Sequence, residues 1–170
     1  MLLKKINSEN INVKSEVHME KVVDDLLMIS VKMDKKNNKS YYDYWRLTRT
    51  MGIPPLEIGI DKTDGSIQTI VFYVASDFFK KMDSSLTKEN EGLIMVDSSI
   101  FKKENDYVDI DSNYFVFLDS DELVCSFEGN FEPDSSYNIN RIRVFLKLNE
   151  VIGFSIKDLT SIEIEELKSL

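Results

Sequence analysis

Apolar residues in this chain recur at every second position through segment after segment, a period that fits half-buried β-strands and little else. β-branched and aromatic residues dominate those positions, and clusters of Asp, Asn, Ser and Gly separate the segments. Leu56 to Ile60 and Ile67 to Val74 flank the stretch Asp61-Lys62-Thr63-Asp64-Gly65-Ser66, where Asp64-Gly65 supplies the positive φ of a tight turn. Pro54-Pro55, just before, blocks helix and marks a strand entrance. A second hairpin is expected from Tyr114–Leu118 through the turn Asp119-Ser120-Asp121-Glu122 to Leu123–Phe127. A third joins Ile142–Leu148 to Val151–Ile156 across Asn149-Glu150.

The remaining elements are read the same way. Leu26–Met33 and Tyr41–Thr48 form strands around the polar loop Asp34–Ser40, whereas residues 18–29 fit helix as well as strand, because Val22-Val23, Leu26-Leu27 and Ile29 also suit a 3.6 period. Ser76-Asp77 opens a short helix through Met82, and Thr160-Ser161-Ile162-Glu163 is a capping-box pattern for a helix to about Leu167. Lys80–Gly92 is polar and reads as a loop or subdomain boundary at 80–92 between two strand-rich halves. The expected fold class is therefore α+β, strand-rich, as one domain over 1–170: mostly antiparallel sheet with hairpins near 61–66, 119–122 and 149–150, and a C-terminal helix. The echo of Ser66–Ile70 at Ser161–Ile164 is too short to establish duplication.

Hydrophobic residues at 42% and charged residues at 30% suit a globular chain that builds its own core. The lone Cys125 cannot close an intramolecular disulfide, which points to a reducing compartment. The start Met1-Leu2-Leu3-Lys4-Lys5 has no apolar signal-peptide core, and no run approaches the ~18 apolar residues of a membrane span. The expectation is a cytoplasmic protein with no membrane partner. The net charge of −9 is uneven. Residues 1–49 hold ten Lys/Arg against seven Asp/Glu, while residues 104–140 hold ten acids and no base. Such a block repels polyphosphate and steers a basic partner, or else is a set of solvated strand faces and turns.

Catalytic signals are sparse. His18 is the only histidine, which excludes mechanisms and zinc sets that need two. Cys125 lies in the apolar run Leu123–Phe127 with acids nearby and reads as a core residue rather than a nucleophile. Asp109-x-Asp111-x-Asn113 opens like a calcium loop but fails at Tyr114, where the turn glycine belongs, and at Ser120, where the bidentate glutamate belongs. No glycine-rich phosphate loop or nucleophile elbow occurs. No cofactor, metal or catalytic residue is expected. A small hydrolase using paired carboxylates stays open only because 30 acids always contain a suggestive pair.

The candidate recognition element is Tyr41–Arg49. On a strand, Tyr42, Tyr44 and Arg46 share one face with Thr48, while Tyr41, Asp43, Trp45, Leu47 and Arg49 share the other. One face would fill the core and the other would display residue types common at binding hot spots. With Asp119, Asp121 and Glu122 in the acidic block, these residues form the expected protein-binding set. The net charge argues against nucleic acid as the partner.

Small size, acidity, a strand-rich pattern and the absence of catalytic motifs together resemble the profile of bacterial immunity proteins that neutralise toxins, without any defining motif. That resemblance implies a non-catalytic intracellular inhibitor binding a basic protein through an acidic surface. The alternative is a structural or assembly subunit that self-associates through strand edges or the aromatic face.

Overall fold

A computed structural model describes residues 2–34, 41–48, 52–76, 88–102 and 106–170. Their fold is strand-rich α+β: fourteen strands, in one ribbon and two six-stranded sheets, with one C-terminal helix. The first half supplies β1 (Lys5–Glu9), β2 (Lys14–Val23), β3 (Leu26–Asp34), β4 (Tyr42–Leu47), β5 (Leu56–Asp61) and β6 (Ile67–Ala75). A middle stretch gives β7 (Lys88–Glu91), β8 (Leu93–Val96) and β9 (Tyr107–Ile110). The second half supplies β10 (Phe115–Asp119), β11 (Glu122–Ser126), β12 (Ser135–Ile139), β13 (Ile142–Lys147), β14 (Glu150–Ile156) and helix α1 (Ser161–Lys168).

The two sheets share one plan. Sheet I runs β2-β3-β6-β5-β4-β9 and sheet II runs β10-β11-β14-β13-β12-β7. In each, an antiparallel hairpin leads into a three-strand meander, and a short strand from the middle stretch closes the far edge in parallel. The irregularities coincide too. Gln68 is the extra residue where the β5–β6 register shifts between Gly59 and Ile60, and Ile152 is its counterpart where β13–β14 shifts between Phe145 and Leu146. Topology, parallel edge and bulge thus repeat at the level of individual ladder positions, a duplication that the sequence echo does not reveal.

Period-two burial forms the core. Leu27, Ile29, Val31, Trp45, Ile58, Ile70 and Phe72 of sheet I join Cys125, Val144, Leu146, Phe154 and Ile156 of sheet II in one buried cluster. Rings meet between the sheets at Phe72–Phe154 and Trp45–Phe127, both with centroids 5.1 Å apart. The ribbon β1–β8 ties the two together: Val96 N donates to Gly65 O and Lys5 N to Asn149 O, both at 2.8 Å. Tyr114 adds a cross-tie where β5 is too short to reach: its hydroxyl donates to Tyr73 O at 2.6 Å and accepts from Tyr73 N at 3.2 Å.

Several expectations change. Both large sheets are mixed rather than mostly antiparallel, because β7 and β9 arrive from between the halves without a hairpin turn and pair in parallel. Lys88–Glu91 is strand and not loop, and the rest of 80–87 lies outside the described residues, as do 35–40 and the expected helix from Asp77 to Met82. Residues 18–29 are two strands around an Asp24-Asp25 turn. The third hairpin turns at Leu148-Asn149, with φ of 51° and 67°, so Glu150 pairs with Lys147 inside the ladder. The second turns at Ser120-Asp121, with Asp119 and Glu122 facing each other as the last pair.

Helix α1 carries the capping box, Thr160 accepting from Glu163 N and Glu163 from Thr160 N. Arg141, in the β12–β13 turn, clamps it: its guanidinium donates to Glu163 Oε1 and Oε2 at 3.2 and 2.6 Å and to the carbonyls of Lys157 and Asp158. Burial pushes the Glu163 carboxyl up, but the hydrogen bonds from Arg141 and the Thr160 backbone outweigh it, leaving the pKa below the ordinary carboxylate range. A depressed carboxyl pKa means stability present above the unfolded value and lost as pH falls through the folded one. Glu163→Gln is therefore expected to cost about 1–2 kcal/mol at neutral pH, and the gap to wild type closes as pH drops below that range. Urea titrations of both chains at pH 7 and pH 3 check it; a gap that persists at pH 3 would refute the linkage.

Candidate functional site

Strand β4 presents the expected alternation. Asp43, Trp45 and Leu47 are buried, and Tyr42, Tyr44 and Arg46 lie half-buried on the outer face of sheet I. The parallel register of β9 sets Tyr107 beside Tyr44 and Asp109 beside Arg46. Arg46 donates from Nε to Asp109 Oδ1 at 2.6 Å and from Nη2 to Oδ2 at 2.9 Å, and its guanidinium lies 4.3 Å from the centre of the Tyr107 ring. Across β5, Glu57 is its other strand neighbour. Burial raises the Glu57 carboxyl pKa, with the Arg46 charge opposing. The guanidinium is thus held between two carboxylate-bearing strands.

The tyrosines are positioned by the same ladder. Tyr44 lies opposite Gly59, and a Cβ on that glycine would come within 3.4 Å of the ring, so the ring covers the bare backbone. Burial, then the negative charge of Glu57, pushes the Tyr44 phenol above its ordinary pKa. Tyr42 meets Tyr44 edge-on at 6.3 Å, and Tyr107 is 47% exposed. Nearby, Lys62 Nζ bridges Asp106 at 2.5 Å and Asp43 at 3.4 Å.

The expected acidic set is elsewhere. Asp119 and Asp121 are exposed at the tip of the β10–β11 hairpin of sheet II, whereas Glu122 is drawn inward. Its Oε1 accepts from Ser155 Oγ at 2.5 Å and pairs with Arg143 Nη1 at 3.3 Å; Arg143 also reaches Glu89 at 3.1 Å and Asn138 at 3.0 Å. The fold does not bring Tyr42, Tyr44 and Arg46 together with Asp119, Asp121 and Glu122. The acidic block is also less bare than its sequence: Asp106, Asp109, Glu122 and Glu132 pair with Lys62, Arg46, Arg143 and Lys147, and Asp134 accepts from Leu148 N. A run of acids in sequence becomes a set of cross-strand pairs because bases sit on the neighbouring strands.

No family model matches this chain, and no curated protein does. Among the described residues no three His, Cys, Asp or Glu side chains are placed to hold a metal ion, and Asp109 of the calcium-like pattern is committed to Arg46. Cys125 is fully buried, and burial pushes its thiol pKa far up. A groove of about 220 Å³ opens at the end of α1, where the described lining residues are Ser76, Leu118, Leu167, Lys168 and Leu170. Among the described residues no helix is long and apolar enough to cross a membrane.

The outer faces of the two sheets differ. That of sheet II is filled by Phe117, Val124, Phe131, Phe145 and Ile152, with Phe131 folded over Phe145 at 5.0 Å. That of sheet I carries the tyrosines and Arg46, with no such apolar cluster among the described residues. Neither Tyr107 nor Asp109 was among the expected binding residues; Asp109 drew notice only as the start of a calcium-like pattern that fails at Tyr114 and Ser120. The two-residue spacing of Tyr107 and Asp109 is a strand-face signal, but only the parallel pairing with β4 reveals its use.

Proposed function

We propose that the chain is a non-catalytic protein-binding domain of the inhibitor or immunity type, docking its partner on the outer face of sheet I. The observation that carries this is the face itself: Tyr42, Tyr44 and Tyr107 around a guanidinium already ordered by Asp109. Rings and a fixed guanidinium lose little side-chain freedom on binding, and Tyr and Arg dominate hot spots. The exposed Asp119 and Asp121 support a basic partner, acting through encounter rate rather than close contact.

Affinity capture from the native cell, compared between wild type and Tyr42→Ala/Tyr107→Ala, tests the site. The wild type is expected to retain a specific protein, and the double variant to bind it at least about 30-fold more weakly, as loss of one hot-spot side chain implies. Equal binding by a folded double variant refutes the docking face. Asp119→Lys/Asp121→Lys is expected to slow association and flatten its salt dependence; unchanged kinetics refute the basic partner. Glu122 is left untouched, because its exchange would break its contacts with Arg143 and Ser155 and so disturb the fold as well as the surface charge.

A further inference from the structure

Strand β2, at one edge of sheet I, is the longest strand among the described residues at 10 residues, and its side chains are exposed or half-buried throughout. Among the described residues no strand other than β3 pairs with it; the half-buried Ser15 is the one that meets sheet II through a hydrogen bond, its hydroxyl donating to Asn140 Oδ1 at 2.8 Å and accepting from Arg141 N at 3.3 Å. A strand edge of this length is a template for another strand, and charge is the usual means of blunting it. Here Lys14, Glu16, His18 and Glu20 alternate with Ser15, Val17 and Met19. The signs repel most partners but match a reversed copy of themselves.

We propose that the chain forms a two-fold homodimer in which β2 pairs antiparallel with β2 of a second copy, the axis passing at Val17. In an isologous contact, residue i faces j and j faces i. With the axis at Val17, Lys14 faces Glu20 and Glu16 faces His18, each pair occurring twice. Ser15 faces Met19, and Val17 faces its own counterpart. Since alternate residues lie on opposite faces, only shifts that keep each face together compete. An axis at Glu16 sets two Glu16 carboxylates together and Lys14 against His18. An axis at His18 sets Glu16 against Glu20 twice. An axis at Met19 leaves Glu16 against Val22 and carries Lys14 past the strand end. The register shift between Lys21 and Val23 also ends the regular edge there, leaving Val17 at the centre of the stretch from Lys14 to Glu20. Val17 and Met19, half-buried against the core, are covered further by the second copy. The tyrosine face lies toward the opposite edge, at β4 and β9, so dimerisation leaves it open.

Sedimentation equilibrium of the full chain from low to high micromolar concentration reads the outcome. A dimer is expected. Glu20→Lys weakens it about tenfold or more, because attraction to Lys14 becomes repulsion in both symmetry-related pairs. Combining Glu20→Lys with Lys14→Glu restores it, since opposite signs face again. In a second readout Val17→Cys crosslinks to its own copy under mild oxidation, while the wild type, whose Cys125 is buried, does not. A chain monomeric throughout, a dimer indifferent to Glu20→Lys, or one that the double exchange fails to restore overturns the proposal.

Discussion

Gly153→Val is expected to destabilise the fold by about 3 kcal/mol or more, near the upper end for added bulk in a packed interior. A Cβ at this position would lie 2.4 Å from the carbonyl oxygen of Cys125 and 3.2 Å from the Cα of Ser126. Those are backbone atoms of the adjacent strand and cannot rotate away; Phe131, at 3.1 Å, is held by its packing on Phe145. Against a total stability of about 5–15 kcal/mol the loss is large. Gly129→Ala is the control, because its nearest atoms are 3.8 Å away, and it is expected to stay within about 0.5 kcal/mol of wild type. Urea midpoints of the three chains decide; equal midpoints for Gly153→Val and wild type would mean that the β11–β14 ladder has slack.

Gly153 also shows why the two halves look unrelated in sequence. Its pair partner across the ladder is Phe145, and the equivalent pair of sheet I is Thr69 with Gly59. In both sheets the pair beside the bulge contains one glycine under an aromatic ring, Phe131 over Gly153 and Tyr44 over Gly59. The glycine sits on opposite strands in the two cases, so aligned sequences show no match while the space is solved alike. The outer face of sheet II is closed by a phenylalanine cluster, whereas that of sheet I carries half-buried Tyr42 and Tyr44.

What the sequence made legible was local. Asp64-Gly65 announced its turn, the capping box announced α1, and the alternation in Tyr42–Leu47 sorted core from surface. What it hid was non-local. Lys88-Glu89-Asn90-Glu91 has no apolar period, because an edge strand need bury little, and only its pairing with β12 makes it strand. Val22-Val23 and Leu26-Leu27 mimic a helical stripe until the intervening Asp24-Asp25 turn is seen. The acidic block misled most. Asp106 and Asp109 meet Lys62 and Arg46, 44 and 63 residues upstream, so charge counted along the chain was not charge on the surface.

Trp45→Ala is expected to cost about 3–5 kcal/mol, the range for removing a large buried aromatic, and to lower the thermal midpoint by roughly 10 °C. The side chain is 0% exposed. It packs on Phe127 from the other sheet with centroids 5.1 Å apart and planes at 40°, so the loss falls on the contact joining the halves. Pairing it with Phe127→Leu in a double-mutant cycle is expected to return a coupling of about 0.5–1.5 kcal/mol. Three residues earlier on the same strand, Tyr42→Ala removes a ring from the open face and is expected to cost under about 1 kcal/mol. The pair of measurements separates the two faces of β4 independently of any partner. If Tyr42→Ala cost as much as Trp45→Ala, the tyrosine would be structural, and the docking face of sheet I would lose the residue that anchors it.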